Sequence, residues 1–323
     1  MNRLLPPKDV ALLLGNSLAA IAGPDEITLG MPHLCMNGLS ETWLLKECGH
    51  RHWLMLAAAA GLPAPDFRDP VGRPIYAAFL SVSIRNAAFE TAREHARIAF
   101  ASRLARISGT RFMSLHRIAV AGRLIGEIAM TSTFVRRLHE GANHHIARIE
   151  VPALRLIEID TEAAQCAAQA MALRSDRWHT HLGLDRCQAS VIDRFVVDPC
   201  PGQDFNGADF LYFASYQAFV ERAEWAFFRP QAPFPTTRAR DLVYLGNIDP
   251  GERLVVTLLQ FVHDREGLRH WYRLQRARDG TRVADAFSIR ARTGEVKAGS
   301  DAPRRGEQEG MQSRIPYLAS RRD

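Results

Sequence analysis

What this sequence lacks narrows the field first. No apolar stretch approaches the ~18 residues a membrane-spanning helix needs. The opening MNRLLPPKDVALLLGNSLAA has only a short apolar run, broken by Asp9 and two prolines, which argues against a secretory leader as well. The five cysteines (Cys35, Cys48, Cys166, Cys187 and Cys200) form no CxxC pair and are odd in number. That pattern excludes a disulfide framework and fits free thiols in a reducing cytoplasm. Neither His144-His145 nor His179-x-His181 has further ligands close by in sequence, so no metal is expected and both pairs read as solvated loop residues. There is no basic run interleaved with aromatics. The net charge of +6 is spread along the chain, with a dense cluster only at Arg304, Arg305, Arg321 and Arg322 in a polar tail, so no nucleic-acid partner is expected. No serine elbow and no HExxH string is present.

What is there is organised around Thr28–Trp53, TLGMPHLCMNGLSETWLLKECGHRHW. A short extended run passes through Asn37-Gly38-Leu39-Ser40 into a helix too apolar for a surface. Asn37 or Ser40 can cap its first turn, and Glu41 suits the positive end of its dipole. The helix is expected to stop near Gly61, before Pro63 and Pro65. Period-two texture follows: Ile75 to Ile84, His95 to Ile107, Arg111 to Ile118, a turn at Gly122, then Leu124 to Val135. Val151–Ile159 reads as extended and Thr161–Leu173 as a helix. The second half then repeats the first, with a strand over Ala189–Val197, a loop over Asp198–Asp204 and a buried helix running to Phe228. Strands follow over Arg240–Leu245 and within Arg253–His263, Leu268–Arg278 and Thr281–Ala291. Asn37 and Asn206 stand at the starts of matching helices, and Tyr76 lies at nearly the same distance beyond the first asparagine as Tyr244 does beyond the second.

A long helix laid on a curved antiparallel sheet, occurring twice, is the pattern of an α+β double hot-dog. Joining the two sheets edge to edge hides an open edge. The expected division is an arm over 1–24, a first unit over 25–138, a connecting segment over 139–185, a second unit over 186–292 and a polar tail over 293–323. Tyr212 and Tyr216 read as core, with Tyr212 bordering a second pocket.

Three strings go further: GMPHLxxxGLSExWLLKExGxRHW from Gly30, DxxGRxxYAAF from Asp69, and DFNGxxFLYFxxYxxFxxRAEW from Asp204. Together they resemble the double hot-dog acyltransferase/decarboxylase of the leinamycin polyketide pathway and its relatives in other polyketide clusters, over about residues 29 to 292. The resemblance implies a reaction without cofactor. The acyl group of malonyl- or methylmalonyl-coenzyme A is taken up, decarboxylated, and delivered to the phosphopantetheine thiol of an acyl carrier protein in the cytoplasm. It also implies that Tyr76, in the YAAF string, carries the acyl group. Either a monomer or a homodimer of double hot-dogs suits such a chain, and no membrane is needed.

The chemistry asks for donors aimed at a thioester oxygen and for a poorly solvated carboxylate. The amides of Gly38, Leu39 and Ser40, with Asn37, are the candidate donors. Met31, His33, Trp43, Arg73, Asn206 and Tyr212 are the candidate substrate contacts. Bringing a phenol with a pKa near 10 to neutrality takes roughly 4 kcal/mol of phenolate stabilisation, for which Arg73 is a candidate source. Two alternatives remain open: a hot-dog thioesterase or dehydratase acting on carrier-bound chains, with a carboxylate or His33 as base, and a non-catalytic module that holds a carrier protein.

Overall fold

The computed structural model describes residues 26–139, 141–229, 234–264 and 267–291. The arm over 1–24 and the tail over 293–323 lie outside the described residues. Eleven strands form one antiparallel sheet. The first half supplies β1 (Glu26–Thr28), β2 (Tyr76–Arg85), β3 (Arg97–Arg106), β4 (Arg111–Val120), β5 (Arg123–Arg137) and β6 (Ile146–Arg148). The second half supplies β7 (Asp193–Val197), β8 (Thr236–Tyr244), β9 (Leu254–Asp264), β10 (Gly267–Arg276) and β11 (Arg282–Ala291). The spatial order is β1-β3-β4-β5-β2-β8-β11-β10-β9-β7, with β6 added to β5. The two halves are therefore mirror-ordered about the β2–β8 seam, where Ser81 to Ile84 pair with Val243 to Arg240.

Local chemistry accounts for the elements. β4 and β5 alternate apolar and polar residues and are joined by Ala121-Gly122, both at positive φ as a two-residue hairpin turn requires. The first long helix, α1 (Glu41–Ala59), starts at Ser40, whose Oγ accepts from the Trp43 amide at 3.3 Å. The connecting helix, α2 (Thr161–Arg174), is capped by Asp160. The second long helix, α3 (Phe213–Phe228), has no capping side chain. Long helices α1 and α3 touch each other, and the Thr42 hydroxyl donates to Gln217 Oε1 at 2.9 Å. Their apolar faces join one core that runs across the seam, including Leu44, Leu45, Ile84, Phe219, Val220 and Leu242. The fold is a double hot-dog. No helix among the described residues is long and apolar enough to cross a membrane.

Several expectations need correction. Val151–Ile159 is not extended: Pro152–Leu156 is a 3-10 turn, with proline at the position where its missing N–H is harmless. The strand expected from Ala189 begins only at Asp193, Pro201–Asp204 is a helical turn rather than loop, and β8 begins at Thr236 rather than Arg240. Helix α3 begins at Phe213, seven residues beyond Asn206, so that asparagine does not cap it. His181 is buried, not solvated, and its Nε2 lies 2.7 Å from Asp241 Oδ2.

The two halves can be aligned by their β-bulges. Register shifts between Phe79 and Ser81 in β2 and between Thr237 and Ala239 in β8. Matching the shifts superposes Tyr76 on Phe234 and Val82 on Arg240. The helices agree: the thirteenth residue is Trp53 in α1 and Trp225 in α3. Trp53 meets the Tyr76 ring at 6.3 Å between centroids, and Trp225 meets Phe234 at 6.0 Å. Tyr244 closes β8 whereas Tyr76 opens β2, so equal spacing from an asparagine does not make these two tyrosines equivalent.

Candidate active site

Strands β2 and β8 stop pairing at Ser81–Val243, yet β2 begins five residues earlier. The edge of Tyr76–Leu80 is therefore left without β8, and a cavity of about 480 Å³ opens beside it. Its walls include those five residues, Gly49, His50 and Trp53 of α1, and the segment from Asn206 to Phe213 that leads into α3. Gly49 is needed here, because a Cβ at that position would sit 2.7 Å from the Phe213 ring. The Tyr76 ring lies edge-on to Phe210 at 5.5 Å, with Arg137 over Phe210 at 3.9 Å. Arg137 also donates through Nε to Asn143 Oδ1 at 2.9 Å. Buried Asn143 in turn donates to the carbonyls of Asp209 and Ile248, which fixes the second-half segment against the first half. Asp249 accepts from the Asn143 amide at 2.6 Å and lies 3.1 Å from His144. His144, Asp249 and Glu252 come within 4.8 Å of one another, but Glu252 is paired with Arg278, so this group braces the loop.

The polar groups facing the cavity are few. None of the described residues lining it is a carboxylate, a serine or a cysteine. The hydroxyls of Tyr216 and Tyr244 donate to the carbonyls of Gly246 and Phe213 at 3.0 and 3.2 Å, and burial raises both phenol pKa values well above the ordinary range. Burial also pushes the Tyr212 phenol up. Thr133 Oγ1 donates to the Thr110 carbonyl at 2.9 Å. Tyr76 differs from Tyr216 and Tyr244 in that its hydroxyl has no hydrogen-bond partner among the described residues. Asn206 is held by its own loop: Oδ1 accepts from the amides of Ala208 and Phe210 at 3.0 and 3.2 Å, so its NH₂ group must face elsewhere. The uncapped first turn of α3, at Phe213, opens on the same space.

Of the residues singled out from sequence, Tyr76, Asn206 and Tyr212 line this cavity, and Asn37, Gly38, Ser40, Met31, His33, Trp43 and Arg73 do not. The first-half loop is folded on itself. Gly38 and Leu39 pair with Cys35 and Leu34, and the Ser40 amide donates to the His33 carbonyl at 2.9 Å. His33 Nδ1 accepts from the Gly30 amide at 2.8 Å and its ring lies against Trp43. Met31 is exposed. Arg73 is turned toward Asp69, with Nε 2.8 Å from Oδ2, and is not aimed at a phenol. Sequence reasoning missed Arg137, Asn143, Arg148 and Arg174, because no spacing marks residues that meet only through strand pairing.

The opposite end of the seam holds a buried ionic network. Arg240 is fully buried with Nε 2.7 Å from Glu41 Oε1, and Thr237 donates to Glu41 Oε2 at 2.8 Å. Arg290 lies 3.0 Å from Glu221 and 3.4 Å from Glu224, and His270 Nε2 lies 2.9 Å from Glu224. Arg238 pairs with Glu90, and the Ala87 amide donates to the Arg238 carbonyl, which ties the strand ends together there.

No protein-family model and no curated protein sequence matches the chain. Solved structures do. The 12:0-ACP thioesterase of Umbellularia californica superposes with a TM-score of 0.55 at 10% identity, over 83% of this chain and 92% of that one. An acyl-ACP thioesterase of Bacteroides thetaiotaomicron gives 0.52 at 9% identity, over 82% and 96%. A Lactobacillus plantarum protein described as an oleoyl thioesterase gives 0.59 at 11% identity, over 84% and 95%. At such identities the likeness is one of fold.

Proposed function

We propose that this chain is an acyltransferase with decarboxylase activity, taking a malonyl or methylmalonyl group from coenzyme A and passing the decarboxylated acyl group to an acyl carrier protein. The observation that carries the reading is the Tyr76 hydroxyl, without a hydrogen-bond partner among the described residues, on a residue in the wall of a cavity whose described lining offers no carboxylate, serine or cysteine to compete for the acyl group. In the first step the Tyr76 oxygen attacks the thioester carbonyl; the C–S bond breaks and the thiol leaves with the phenol proton. The resulting malonyl ester loses carbon dioxide, and its enolate takes up a proton at carbon. The carrier thiol then attacks the tyrosyl ester, and the phenol is released with its proton restored.

Negative charge on the carbonyl oxygen needs donors, and the supply here comes from the second half. The first-turn amides of α3 carry the partial positive charge of an uncapped helix end, and Asn206 adds a side-chain amide. The apolar wall of Trp53, Phe79, Phe210 and Phe213 favours loss of a carboxylate, whose charge it solvates poorly. Two of the superposing proteins act on acyl-ACP, which supports a carrier-bound thioester as the substrate class.

A thioesterase is the second reading, favoured by His50 in the same wall as a base for water. Replacing Tyr76 by Phe separates the two when carbon dioxide release and carrier acylation are followed independently by mass spectrometry. Acyl transfer through Tyr76 predicts loss of carrier acylation; hydrolysis assisted by His50 predicts activity that survives. Acylation by Tyr76→Phe at the wild-type rate overturns the proposal. A chain that binds carrier without turnover in either form would be the non-catalytic module.

A further inference from the structure

The cavity has a basic end. Residues directly opposite one another on paired antiparallel strands share a face of the sheet. One such row crosses three strands, from Tyr76 through Val135 to Arg148. The next row runs from Ala78 through Thr133 to Arg111. Two strand spacings separate the backbones of Tyr76 and Arg148 by roughly 10 Å, and the arginine side chain reaches further. From the last turn of α2, Arg174 arrives at the same wall, where its Nε donates to the Tyr244 carbonyl at 2.7 Å. Arg148 and Arg174 both line the cavity.

These arginines lack what their neighbours have. Arg103, Arg155 and Arg282 are paired with Asp160, Glu150 and Asp176. Arg111, Arg148 and Arg174 have no carboxylate partner among the described residues. Burial and then the charges of Arg148 and Arg111 depress the Arg174 pKa, so the cations repel one another with no carboxylate among the described residues paired to them. Guanidinium groups converging without acids match a phosphate, which accepts two parallel N–H bonds from each.

We propose that Arg148 and Arg174, with Arg111 beside them, anchor the phosphate at the far end of a pantetheine arm whose thioester end lies against Tyr76; the inference rests on the acyl-thioester reading of the cavity. Coenzyme A and the prosthetic arm of a carrier protein both carry a phosphate in that place. Equilibrium binding of coenzyme A, 4′-phosphopantetheine and pantetheine to the full chain tests the anchor. The phosphorylated ligands are expected to bind at least about 10-fold more tightly than pantetheine, the scale of a charge-assisted hydrogen bond. Arg148→Gln, at an exposed side chain, and Arg174→Gln are each expected to shrink that preference about 10-fold, whereas the control Arg155→Gln leaves it intact.

Equal losses with coenzyme A and 4′-phosphopantetheine support an anchor that a carrier protein also uses. A loss confined to coenzyme A puts the contact at its nucleotide end and overturns the proposal. Pantetheine binding as tightly as coenzyme A, or an unchanged preference in Arg148→Gln, overturns the proposal. Because binding is read without turnover, a phosphate preference in a chain that transfers no acyl group keeps the anchor and sinks the acyl-transfer reading. Acyl transfer with no phosphate preference does the reverse.

Discussion

The two ends of the β2–β8 seam are built on equivalent positions and filled with opposite chemistry. At one end Tyr76, Phe79 and Val82 sit where the other has Phe234, Thr237 and Arg240. The twelfth residue of each long helix makes the same point. In α1 it is His52, hydrogen-bonded to Ser114 and Ser132 at 2.8 and 2.7 Å; in α3 it is Glu224, engaged with His270 and Arg290. Ser114 faces Met130 and His270 faces Ser288 across their strand pairs, so these trios are counterparts. One end has arginines without carboxylate partners and a helix start with no capping side chain; the other pairs its charges, with Ser40 capping its helix and Glu41 bound to Arg240. The same fold thus lines a cavity at one end of its seam and holds a buried ionic brace at the other. Where the first half has the Tyr76 hydroxyl, the second has the bare ring of Phe234.

Acid is expected to separate the two ends most. Burial lowers the pKa of both His52 and His116 from 6.5 to about 3. The unfolded chain therefore binds more protons than the folded one between those values, and stability falls as pH falls through that window. The loss is on the order of 5 kcal/mol per histidine at full depth. Glu224 behaves differently. Burial pushes its carboxyl up, the charge of Arg290 and the hydrogen bond with His270 outweigh that, and its pKa comes to about 2. Its contribution is present above the ordinary value of 4.5 and is lost only as pH falls through about 2. Denaturant midpoints measured from pH 7 to pH 3 should therefore decline, and His116→Gln should flatten the decline. A pH-independent midpoint above pH 4 would break the comparison.

Next in size is the brace itself. Arg240→Met strands Glu41 and is expected to cost about 3–5 kcal/mol in equilibrium unfolding. Val82→Ala, at the equivalent position of the open end, is expected to cost about 2 kcal/mol. Equal costs would mean that the ionic network is no more than packing. Gly38→Ala follows at about 3 kcal/mol or less: φ is 99° there, and a Cβ would fall 2.3 Å from the Phe89 carbonyl oxygen. Smallest is Ser40→Ala, which removes a cap at about 1 kcal/mol and is expected to leave carrier acylation unchanged. A fall in acylation beyond the loss of folded protein would return the first helix start to the reaction.

Much of this architecture was legible from residues alone. Period-two runs such as Arg111–Ile118 and the Gly122 turn determine their own strands, because alternation and positive φ are local requirements. The two long helices announce themselves by runs too apolar for a surface. The site was legible only in part. Tyr76 stood out through its string, and Asn206 and Tyr212 through theirs. Yet the loop most visible in sequence, Asn37 to Ser40, is consumed by its own hydrogen bonds. The cavity lies where β2 runs on beyond its pairing with β8, and the bulge between Phe79 and Ser81 in that stretch has no sequence mark. Arg148 reaches the row of Tyr76 only through β6, a three-residue strand that leaves no periodic trace.

The most direct test is intact-mass analysis of the protein after incubation with methylmalonyl- and malonyl-coenzyme A, followed by mapping of any adduct. A retained acyl ester is expected on Tyr76, absent from Tyr76→Phe and absent from the second half. An adduct on another residue, or carrier acylation that proceeds at the wild-type rate in Tyr76→Phe, would contradict it.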